Sequence, residues 1–408
     1  MENGKFTNYA ATENNPRYAA FIKRDSETPC ESGDCRTPFE RDYTRILHST
    51  AYRRLKHKTQ VFYNIESDHV CTRMEHVLHV ESAAYTIAKN LGLNAELTRA
   101  IAMGHDIGHA PFGHYGEKVI NELCQKYTGK KFRHESNGLY LADNIELLSD
   151  RENVYKNLNL CYAVRDGILC HCGESDKNQL LPRAELGELY SLSGSAEPAT
   201  YEGCAVKLSD KIAYLGRDIE DAIYLRFLSR EDVKKLSDAI ELKKGESVNT
   251  GSIMSVFISD VCRSSSPEKG ICLSQKNSEK LNEIKKFNYK YIYDNERFAP
   301  FKRYARLVIE ELFEALYSCY KGESAAEGLK SAKGKYPFLI SEFENFMYKY
   351  CDDKYIKDHK ISLGGTYRNK KAYGFVNTEK IYAAAVLDFI AGMTDRYAVK
   401  AFNELITY

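Results

Sequence analysis

The chain has 408 residues, a formal net charge of +1 and a hydrophobic fraction of 43%, values that describe an ordinary globular protein large enough for one or two domains. The near-zero charge argues against a broadly basic nucleic-acid-binding surface, although a local basic patch stays compatible with it. No apolar run approaches the ~18 residues of a membrane span, and the N-terminus lacks the apolar core of a signal peptide. Twelve scattered cysteines in such a chain predict reduced thiols in a cytoplasmic protein.

Polar residues with interspersed Pro and Gly dominate residues 1–38, which we expect to form an irregular N-terminal arm. From residue 39 onward, apolar residues recur at three- and four-residue steps, a period that predicts helices. No long flexible linker separates 39–230 from 231–408, so we expect one globular unit in which a helical C-terminal region packs on a helical core. The fold class is therefore all-α, with one short hairpin near Leu363–Tyr373. The predicted helices cover approximately 70–91, 95–103, 115–127, 157–169, 202–227, 249–263, 277–293, 301–320, 337–350 and 377–405.

Three histidines, one aspartate and one glutamate fall within the thirteen residues from His105 to Glu117. Asn94 is a good N-cap for an amphipathic helix that would carry His105 and Asp106 at its end, and Gly108 can stop that helix. The Pro and Gly residues that follow predict a bent loop before the next helix. A helix end that offers an imidazole beside a carboxylate, followed by a loop with further bases, suits a metal-dependent hydrolase.

Two more residues can complete a metal site with His105 and Asp106. His76 lies on the apolar side of its helix, and Asp210 is an acid within an otherwise apolar helical stretch, where a lone carboxylate would be costly without a partner. Two imidazoles and two carboxylates suit Mn²⁺, Fe²⁺, Co²⁺, Ni²⁺ or Zn²⁺ and leave positions for water and substrate. Taken singly, each histidine fits a structural role better, so the prediction depends on the joint pattern.

Two other clusters have a plainer interpretation beside the functional one. The segment from Arg41 to Lys58 carries six basic residues against one acid, which describes either a solvated helix face or a wall of positive charge near a polyphosphate. The sequence favours neither. The tripeptide 170–172, Cys-His-Cys, resembles part of a zinc site, but no second pair lies at zinc-site spacing, so we interpret it as structural.

The order His76, His105-Asp106 and Asp210 resembles the metal-binding signature of the HD superfamily of phosphohydrolases. The surrounding sequence closely resembles one branch, the deoxynucleoside triphosphate triphosphohydrolases, or dGTPase-like enzymes. The resemblance implies a multi-helix HD catalytic core at 39–230 with a helical C-terminal extension at 231–408. The resembling strings are YRRLKHKTQVF at 52–62, TRMEH at 72–76, the stretch 105–117, DKIAY at 210–214 with Asp218, and DFIAGMTDRY at 388–397.

Enzymes of that family hydrolyse a dNTP, dGTP among them, between the α-phosphorus and the 5′ oxygen, giving a deoxynucleoside and inorganic triphosphate. The resemblance therefore implies that a metal-activated water attacks the α-phosphate. It gives His114 the role of protonating the 5′ oxygen, with Glu117 orienting that imidazole or a water. It also places His109 and His134 among the active-site residues near the phosphates.

The resemblance implies a set of substrate contacts as well. Arg73 and Lys211 would neutralise the triphosphate. Tyr214 would pack under the sugar and exclude a 2′-hydroxyl, Asp218 would accept a hydrogen bond from the 3′-hydroxyl, and Gln60 would reach the sugar or the base edge. Without the resemblance, Tyr214 would be read as core packing and Asp218 as an exposed helix acid paired with a neighbouring cation.

For cofactors, the resemblance implies one divalent ion per active site, from among Mn²⁺, Mg²⁺, Fe²⁺, Co²⁺, Ni²⁺ and Zn²⁺, and it allows a further Mg²⁺ on the triphosphate. It implies a homo-oligomer, with a hexamer favoured, and allows a dNTP activator at a second site. We expect no membrane partner and no single-stranded nucleic acid. Two alternatives stay open: another HD phosphohydrolase, such as a 5′-nucleotidase or a phosphodiesterase, and a nucleotide sensor or single-stranded nucleic-acid-binding protein.

Overall fold

The computed structural model describes residues 4–26, 34–63, 67, 69–173, 178–192, 194–239, 249–322 and 325–407. Within these residues the fold is all-α, as predicted, because eighteen α-helices accompany five strands of only two to four residues. The helices are α1 (Tyr18–Phe21), α2 (Pro38–His48), α3 (Thr50–Arg54), α4 (Arg73–Leu91), α5 (Ala95–Gly104), α6 (Gly113–Thr128), α7 (His134–Tyr140), α8 (Tyr162–Cys170), α9 (Tyr201–Tyr224), α10 (Arg230–Ala239), α11 (Thr250–Ser264), α12 (Gln275–Asn288), α13 (Ala299–Tyr317), α14 (Ala325–Ala332), α15 (Pro337–Met347), α16 (Asp353–Asp358), α17 (Glu379–Ala391) and α18 (Asp395–Ile406). The strands are β1 (Leu147–Ser149), β2 (Val154–Asn157), β3 (Gln179–Leu180), β4 (Ile271–Cys272) and β5 (Thr366–Tyr367).

Three local predictions were wrong. The helix predicted from residue 157 begins at Tyr162, because the preceding residues pair as β2 with β1. The single helix predicted over 377–405 is two helices, since Thr394 is extended and its hydroxyl caps a new first turn at α18. The hairpin expected near Leu363–Tyr373 is not formed among the described residues: β5 instead joins β2 in parallel, and the Tyr155 and Tyr367 rings stack at 5.0 Å.

The chain divides into two compact units, each built from three segments. The first unit comprises Met1–Leu47, Gln60–Asp106 and Asn159–Ala299, and the second comprises His48–Thr59, Ile107–Leu158 and Pro300–Tyr408. The sequence boundaries of the expected arm, core and C-terminal region stay a prediction. Parts of these regions, namely 1–3, 27–33 and 240–248, lie outside the described residues.

Helix α9 is the centre of the first unit, where it packs against α4, α5, α8 and α11. Small residues allow the close approach: a Cβ atom on Gly104 would lie 2.7 Å from the Ile168 side chain. Buried Glu202, in the first turn of α9, accepts the backbone N–H of both Ala11 and Asn94 at 2.9 Å. The first turn of α9 is thus hydrogen-bonded both to the N-terminal segment and to the start of α5.

In the second unit α17 packs against α6 and α15. An aromatic cluster fills the core there, with Phe389 5.4 Å from both Phe343 and Phe346 between ring centroids. Asp388 is half-buried in this unit, and its carboxyl accepts a hydrogen bond from the Tyr373 hydroxyl at 3.0 Å. Among the described residues, every helix is too short or too polar to cross a lipid bilayer.

Candidate metal centre and histidine cluster

Helix α4 places Arg73 and His76 one turn apart on the same face. Thr72 starts the helix with a capping box, in which its backbone N–H donates to Glu75 Oε2 at 2.7 Å and its hydroxyl accepts the Glu75 N–H. The cap fixes the first turn and therefore the direction of both side chains. Arg73 is 2% exposed and His76 4% exposed, so a cation and a base are directed into the interior of the first unit.

Helix α5 carries His105 and Asp106 at its C-terminal end. Asn94 caps its start, as predicted, by accepting two backbone N–H groups at 3.0 Å. The helix ends at Gly104, earlier than the predicted stop at Gly108, but His105 keeps helical geometry as the C-cap. The His105 Nδ1 lies 2.7 Å from the Ala102 carbonyl. When Nδ1 donates to that carbonyl, Nε2 carries the lone pair that a metal ligand needs.

The structure brings the four predicted ligands together in the first unit, and we call His76, His105, Asp106 and Asp210 the metal centre. His76 Nε2 lies 2.9 Å from Asp210 Oδ1. His105 Nε2 lies 3.8 Å from that same oxygen and 3.8 Å from Asp106 Oδ1. The ligand atoms of His76, His105 and Asp210 all lie within 4.8 Å of one another, close enough to bind one ion.

The donor chemistry of the metal centre fits a divalent ion. His105 Nε2 is buried and has no hydrogen-bond partner among the described residues, although such atoms are normally satisfied. The set of two imidazoles and two carboxylates is the mixed nitrogen and oxygen environment that transition-metal ions favour. The residues present therefore fit the expected cofactor, and they leave its identity open.

The charges of the metal centre are arranged as an ion requires. Burial alone would raise the pKa of Asp210, but the hydrogen bond from His76 and the nearby His105 hold it well below its ordinary value. Burial would lower the pKa of His76, but Asp210 raises it. Arg73 Nη1 donates to Asp106 Oδ2 at 2.9 Å. The Asp210 carboxylate is thus stabilised as an anion, and the Asp106 carboxylate is paired with a buried guanidinium.

The predicted substrate residues also belong to the first unit. Lys211 and Tyr214 are half-buried on α9, and Gln60 is half-buried with a buried Oε1 that has no hydrogen-bond partner among the described residues. Asp218 is buried, contrary to the plainer interpretation of an exposed acid, and the Tyr293 hydroxyl donates to its Oδ2 at 2.5 Å. Burial raises the pKa of Asp218 to about 7.

The remaining predicted residues meet in the second unit, and we call His109, His114, Glu117 and His134 the histidine cluster. Glu117 is its hub. His114 Nδ1 lies 3.3 Å from Glu117 Oε2, and His134 Nδ1 lies 3.1 Å from both carboxylate oxygens. The His134 backbone N–H also donates to Oε1 at 2.9 Å. The carboxylate therefore orients two imidazoles at once.

The loop before α6 determines how close these residues come. Gly108 packs against the start of α7 so tightly that a Cβ atom would lie 2.0 Å from the His134 carbonyl oxygen. Phe112, the N-cap of α6, adopts the left-handed region with φ 64°, which is unusual for an aromatic residue. This bend lets His109 reach His134, where the two ring centroids lie 3.8 Å apart.

Proton transfer is the chemistry that best suits the histidine cluster. The His114 side chain is 74% exposed, whereas the Glu117 side chain is 15% exposed. Burial would raise the pKa of Glu117, but hydrogen bonds from His114 and His134 hold it well below its ordinary value. An accessible imidazole backed by a fixed anion can hold a proton and deliver it. The four ligand atoms also lie within 4.8 Å of one another, so a cation is geometrically allowed here as well.

Comparisons with known proteins identify the family of the chain. The HD domain family matches residues 73–215, and the Phosphohydrolase-associated domain matches residues 271–327. A deoxyguanosinetriphosphate triphosphohydrolase-like protein of Caldanaerobacter subterraneus subsp. tengcongensis is 35% identical over 380 residues, which are 92% of this chain and 86% of the relative. The chain belongs to this deoxyguanosinetriphosphate triphosphohydrolase-like family.

Other members of the family show the same extent of similarity. The protein of that name from Clostridium tetani is 33% identical over 379 residues, covering 91% of this chain and 86% of the relative. The one from Rickettsia prowazekii is 32% identical over 392 residues, covering 91% and 92%. The predicted resemblance to dGTPase-like HD phosphohydrolases is thus confirmed. The HD match contains every residue of the metal centre and of the histidine cluster.

The sequence analysis did not predict two residues that contact the predicted site residues. Tyr293, which bonds Asp218, lies in a tyrosine-rich run without a readable period. His171 was interpreted as structural, and its ring centroid lies 5.1 Å from that of His105, while its Nδ1 lies 2.7 Å from the Ile168 carbonyl oxygen. In the sequence, the Cys-His-Cys tripeptide at 170–172 could have indicated that His171 matters. Its spacing, however, suggests part of a zinc site and not a histidine next to the ligands of another metal.

Proposed function

We propose that this chain hydrolyses deoxynucleoside triphosphates to deoxynucleoside and inorganic triphosphate. The observation that carries the proposal is the metal centre, in which His76, His105 and Asp210 direct ligand atoms to one point beside the buried carboxylate Asp106. A divalent ion held there supplies Lewis-acid polarisation of the α-phosphate and acidifies a water molecule. Membership of the dGTPase-like family supports the same reaction.

Arg73 and Lys211 supply the positive charge that a triphosphate requires. The Arg73 Nε and Nη2 atoms are buried and have no hydrogen-bond partner among the described residues, so two donors of its planar fork are available for phosphate oxygens. Lys211 follows Asp210 directly on α9 and adds a second cation. In this proposal they bind the ground state and the transition state of the phosphate chain.

Deoxyribose selection is assigned to the next turns of α9. Tyr214 lies four residues after Asp210 and Asp218 four residues after that, so all three share one helix face. Tyr214 would close the space that a 2′-hydroxyl needs, Asp218 would accept the 3′-hydroxyl, and Gln60 would contact the sugar or base edge. The Tyr293 hydroxyl holds the Asp218 carboxyl in one orientation.

His114 is the proposed proton donor to the 5′ oxygen. An alkoxide leaves poorly unless it is protonated, and general acid catalysis of this kind contributes roughly 10²–10⁴-fold. Glu117 orients the imidazole, and His134 shares the same carboxylate. His109 stacks on His134 and is proposed to complete the phosphate-facing set.

Product analysis tests the proposal. Each dNTP and GTP would be incubated singly with Mn²⁺ or Mg²⁺, with and without a chelator, and the products separated by chromatography. We expect deoxynucleoside and triphosphate, lost on chelation, and little reaction with GTP. Orthophosphate from nucleoside monophosphates, or diester cleavage, would instead identify a 5′-nucleotidase or phosphodiesterase. Single-stranded DNA binding that survives His105→Ala, without turnover, would favour the nucleic-acid-binding alternative.

The cofactor, assembly and compartment are parts of the same proposal. The donor set supports one Mn²⁺, Fe²⁺, Co²⁺, Ni²⁺ or Zn²⁺ per site, with Mg²⁺ as an alternative there or as a further ion on the triphosphate. A homo-oligomer, with a hexamer favoured, follows from the family resemblance. The absence of any disulfide among the eleven cysteines in the described residues supports a reducing, cytoplasmic location.

A regulatory dNTP, if one acts on this enzyme, has a candidate place in the second unit. A cavity of about 600 Å³ there has the size of a small-molecule site. It is lined by the stacked rings of Tyr155 and Tyr367, by the cations Arg53, Arg54 and Lys349, and by His57 and the acid Glu146. Activity in dNTP mixtures that exceeds the sum of the single-substrate rates, and that Arg53→Ala lowers to that sum, would support this assignment.

A further inference from the structure

A buried carboxylate at the start of α18 bonds two other segments of the second unit. Asp395 is 5% exposed. Its Oδ1 accepts the backbone N–H of Phe112 at 2.8 Å, and its Oδ2 accepts the backbone N–H of Thr59 at 2.9 Å. Hydrogen bonds from N–H groups to a carboxylate are among the stronger ones in proteins. One side chain therefore fixes the loop before α6 to the segment before Gln60.

A buried cation binds the same loop near its other end. Lys58 is 2% exposed, and its Nζ donates to the carbonyl oxygen of His109 and, at 3.2 Å, to that of Ala391. Ala391 is the last residue of α17, and Asp395 is the first of α18. The loop is therefore held at two points. Lys58 binds the carbonyl oxygen of His109, and Asp395, at the start of α18, binds the N–H of Phe112.

The loop needs such support because its own local structure is unfavourable. Phe112 has φ 64° and ψ 25°, and no side chain caps α6. An aromatic residue adopts this left-handed conformation only where the surroundings enforce it. His109 lies within the loop that Lys58 and Asp395 bind, and His114 is the second residue of α6. Relaxation of Phe112 toward the common backbone regions would move both imidazoles.

We propose that Asp395 and Lys58 are positioning residues that hold His109 and His114 in their catalytic arrangement, an inference that rests on the proposed function of the histidine cluster. The bonds that carry this role run from Lys58 and Asp395 to the backbone of the loop, of Thr59 and of Ala391. We therefore expect their effect on the reaction to be exerted through the loop, on proton delivery and not on metal binding.

The kinetic test compares Asp395→Ala and Lys58→Met with Asp388→Asn, all as full-length protein. Asp388 is the control because it is a half-buried acid of the same DFIAGMTDRY string that accepts a hydrogen bond from Tyr373. We expect kcat for dNTP hydrolysis to fall about 10–100-fold in the first two variants, as for other residues that orient a catalytic group. KM should change less than about threefold, the bound metal content should stay at the wild-type level, and Asp388→Asn should keep kcat within about twofold.

A chemical readout separates positioning from a general loss of stability. Diethyl pyrocarbonate modifies accessible histidines, and mass spectrometry gives the rate at each one. His109 is 2% exposed, so its modification should be slow in the wild type and in Asp388→Asn. It should be several-fold faster in Asp395→Ala and in Lys58→Met. His76 and His105, in the first unit, should keep their low rates in every variant, whereas unfolding would raise all of them.

Wild-type kcat together with wild-type His109 protection in the folded Lys58→Met variant would overturn the proposal, as would an equal gain in reactivity at His76 and His105. Should Asp395→Ala fail to fold, Asp395→Asn keeps one acceptor oxygen and is expected to show a smaller kcat loss in the same direction. If the wild type releases no triphosphate from any dNTP, the proposed function fails. In that case the histidine reactivities still decide whether Asp395 and Lys58 hold the loop.

Discussion

The metal centre and the histidine cluster are both built from histidines and carboxylates, yet their hydrogen bonding differs. In the metal centre the two carboxylates are contacted by His76 and Arg73, and His105 Nε2 has no hydrogen-bond partner among the described residues. In the histidine cluster the Glu117 carboxylate accepts from three N–H groups, and His114 is widely exposed. The first arrangement leaves ligand atoms for a cation, whereas the second uses its carboxylate to orient imidazoles.

The difference shows that residue composition alone does not assign chemistry to a site. Both groups satisfy a distance criterion for binding a metal ion. The hydrogen bonding of the imidazoles separates them, because His105 Nε2 has no hydrogen-bond partner among the described residues, whereas His114 Nδ1 and His134 Nδ1 both lie against the Glu117 carboxylate. The predictions below test whether one group holds the ion and the other moves the proton.

The largest effect is expected at Asp210, whose Oδ1 lies 2.9 Å from His76 and 3.8 Å from His105. Asp210→Ala should lower kcat/KM by at least about 1000-fold, which corresponds to roughly 4 kcal/mol of transition-state stabilisation. Elemental analysis of the purified variant should show loss of the divalent ion. Glu220→Gln, on the same helix, is the control and should keep both. A metal-free Asp210→Ala with substantial activity would reverse the assignment of the two groups.

His114→Ala should reduce kcat by roughly 100-fold while the metal content stays unchanged, because it removes a proton donor and no ligand. A substrate analogue with a nitrophenolate leaving group, which needs no protonation, should lose much less. Loss of metal from His114→Ala would mean that the histidine cluster binds the ion. An equal loss of kcat with both leaving groups would mean that His114 does not protonate the leaving oxygen.

Asp218→Ala should weaken recognition of the 3′-hydroxyl. The loss in kcat/KM should be roughly 10–100-fold for a dNTP, since a hydrogen bond to a charged group contributes about 1.5–3 kcal/mol. The 2′,3′-dideoxy analogue lacks that hydroxyl and should lose little. Tyr293→Phe, which frees the Asp218 carboxyl to rotate, is expected to give a smaller loss of the same kind. Equal losses with both nucleotides would contradict the role assigned to Asp218.

The smallest effect concerns stability and not catalysis. Burial raises the pKa of Asp388 well above its ordinary value, to about 7. The native state therefore binds the proton more tightly than the unfolded state, so this residue lowers stability as the pH rises from about 4 to 7. Asp388→Asn removes that dependence and should raise the free energy of unfolding at pH 8 by about 1–3 kcal/mol. Denaturant unfolding at pH 4 and pH 8 measures it, and equal effects at both would contradict the shift.

The sequence predicted the all-α fold and the positions of the two groups because their signals are local or ordered. The Asn94 cap is an example of a local signal, and the sequence order of His76, His105 and Asp210 is an example of an ordered one. The wrong hairpin prediction and the contacts that the sequence did not predict depend on residues far apart in the chain. Three contacts join residues 75 or more positions apart: the parallel pairing of β5 with β2, the hydrogen bond from Tyr293 to Asp218, and the hydrogen bond from Phe112 to Asp395. The periodicity of a sequence does not indicate such pairs.

The most direct test of the account is hydrolysis of dGTP in water enriched in ¹⁸O, with Mn²⁺ present, followed by mass spectrometry of both products. We predict that the label enters the triphosphate, because water attacks the α-phosphorus and the 5′ oxygen leaves with the deoxynucleoside. Label in the 5′-hydroxyl of the deoxynucleoside would place the attack on carbon. That result would contradict the roles proposed for the metal centre and for His114.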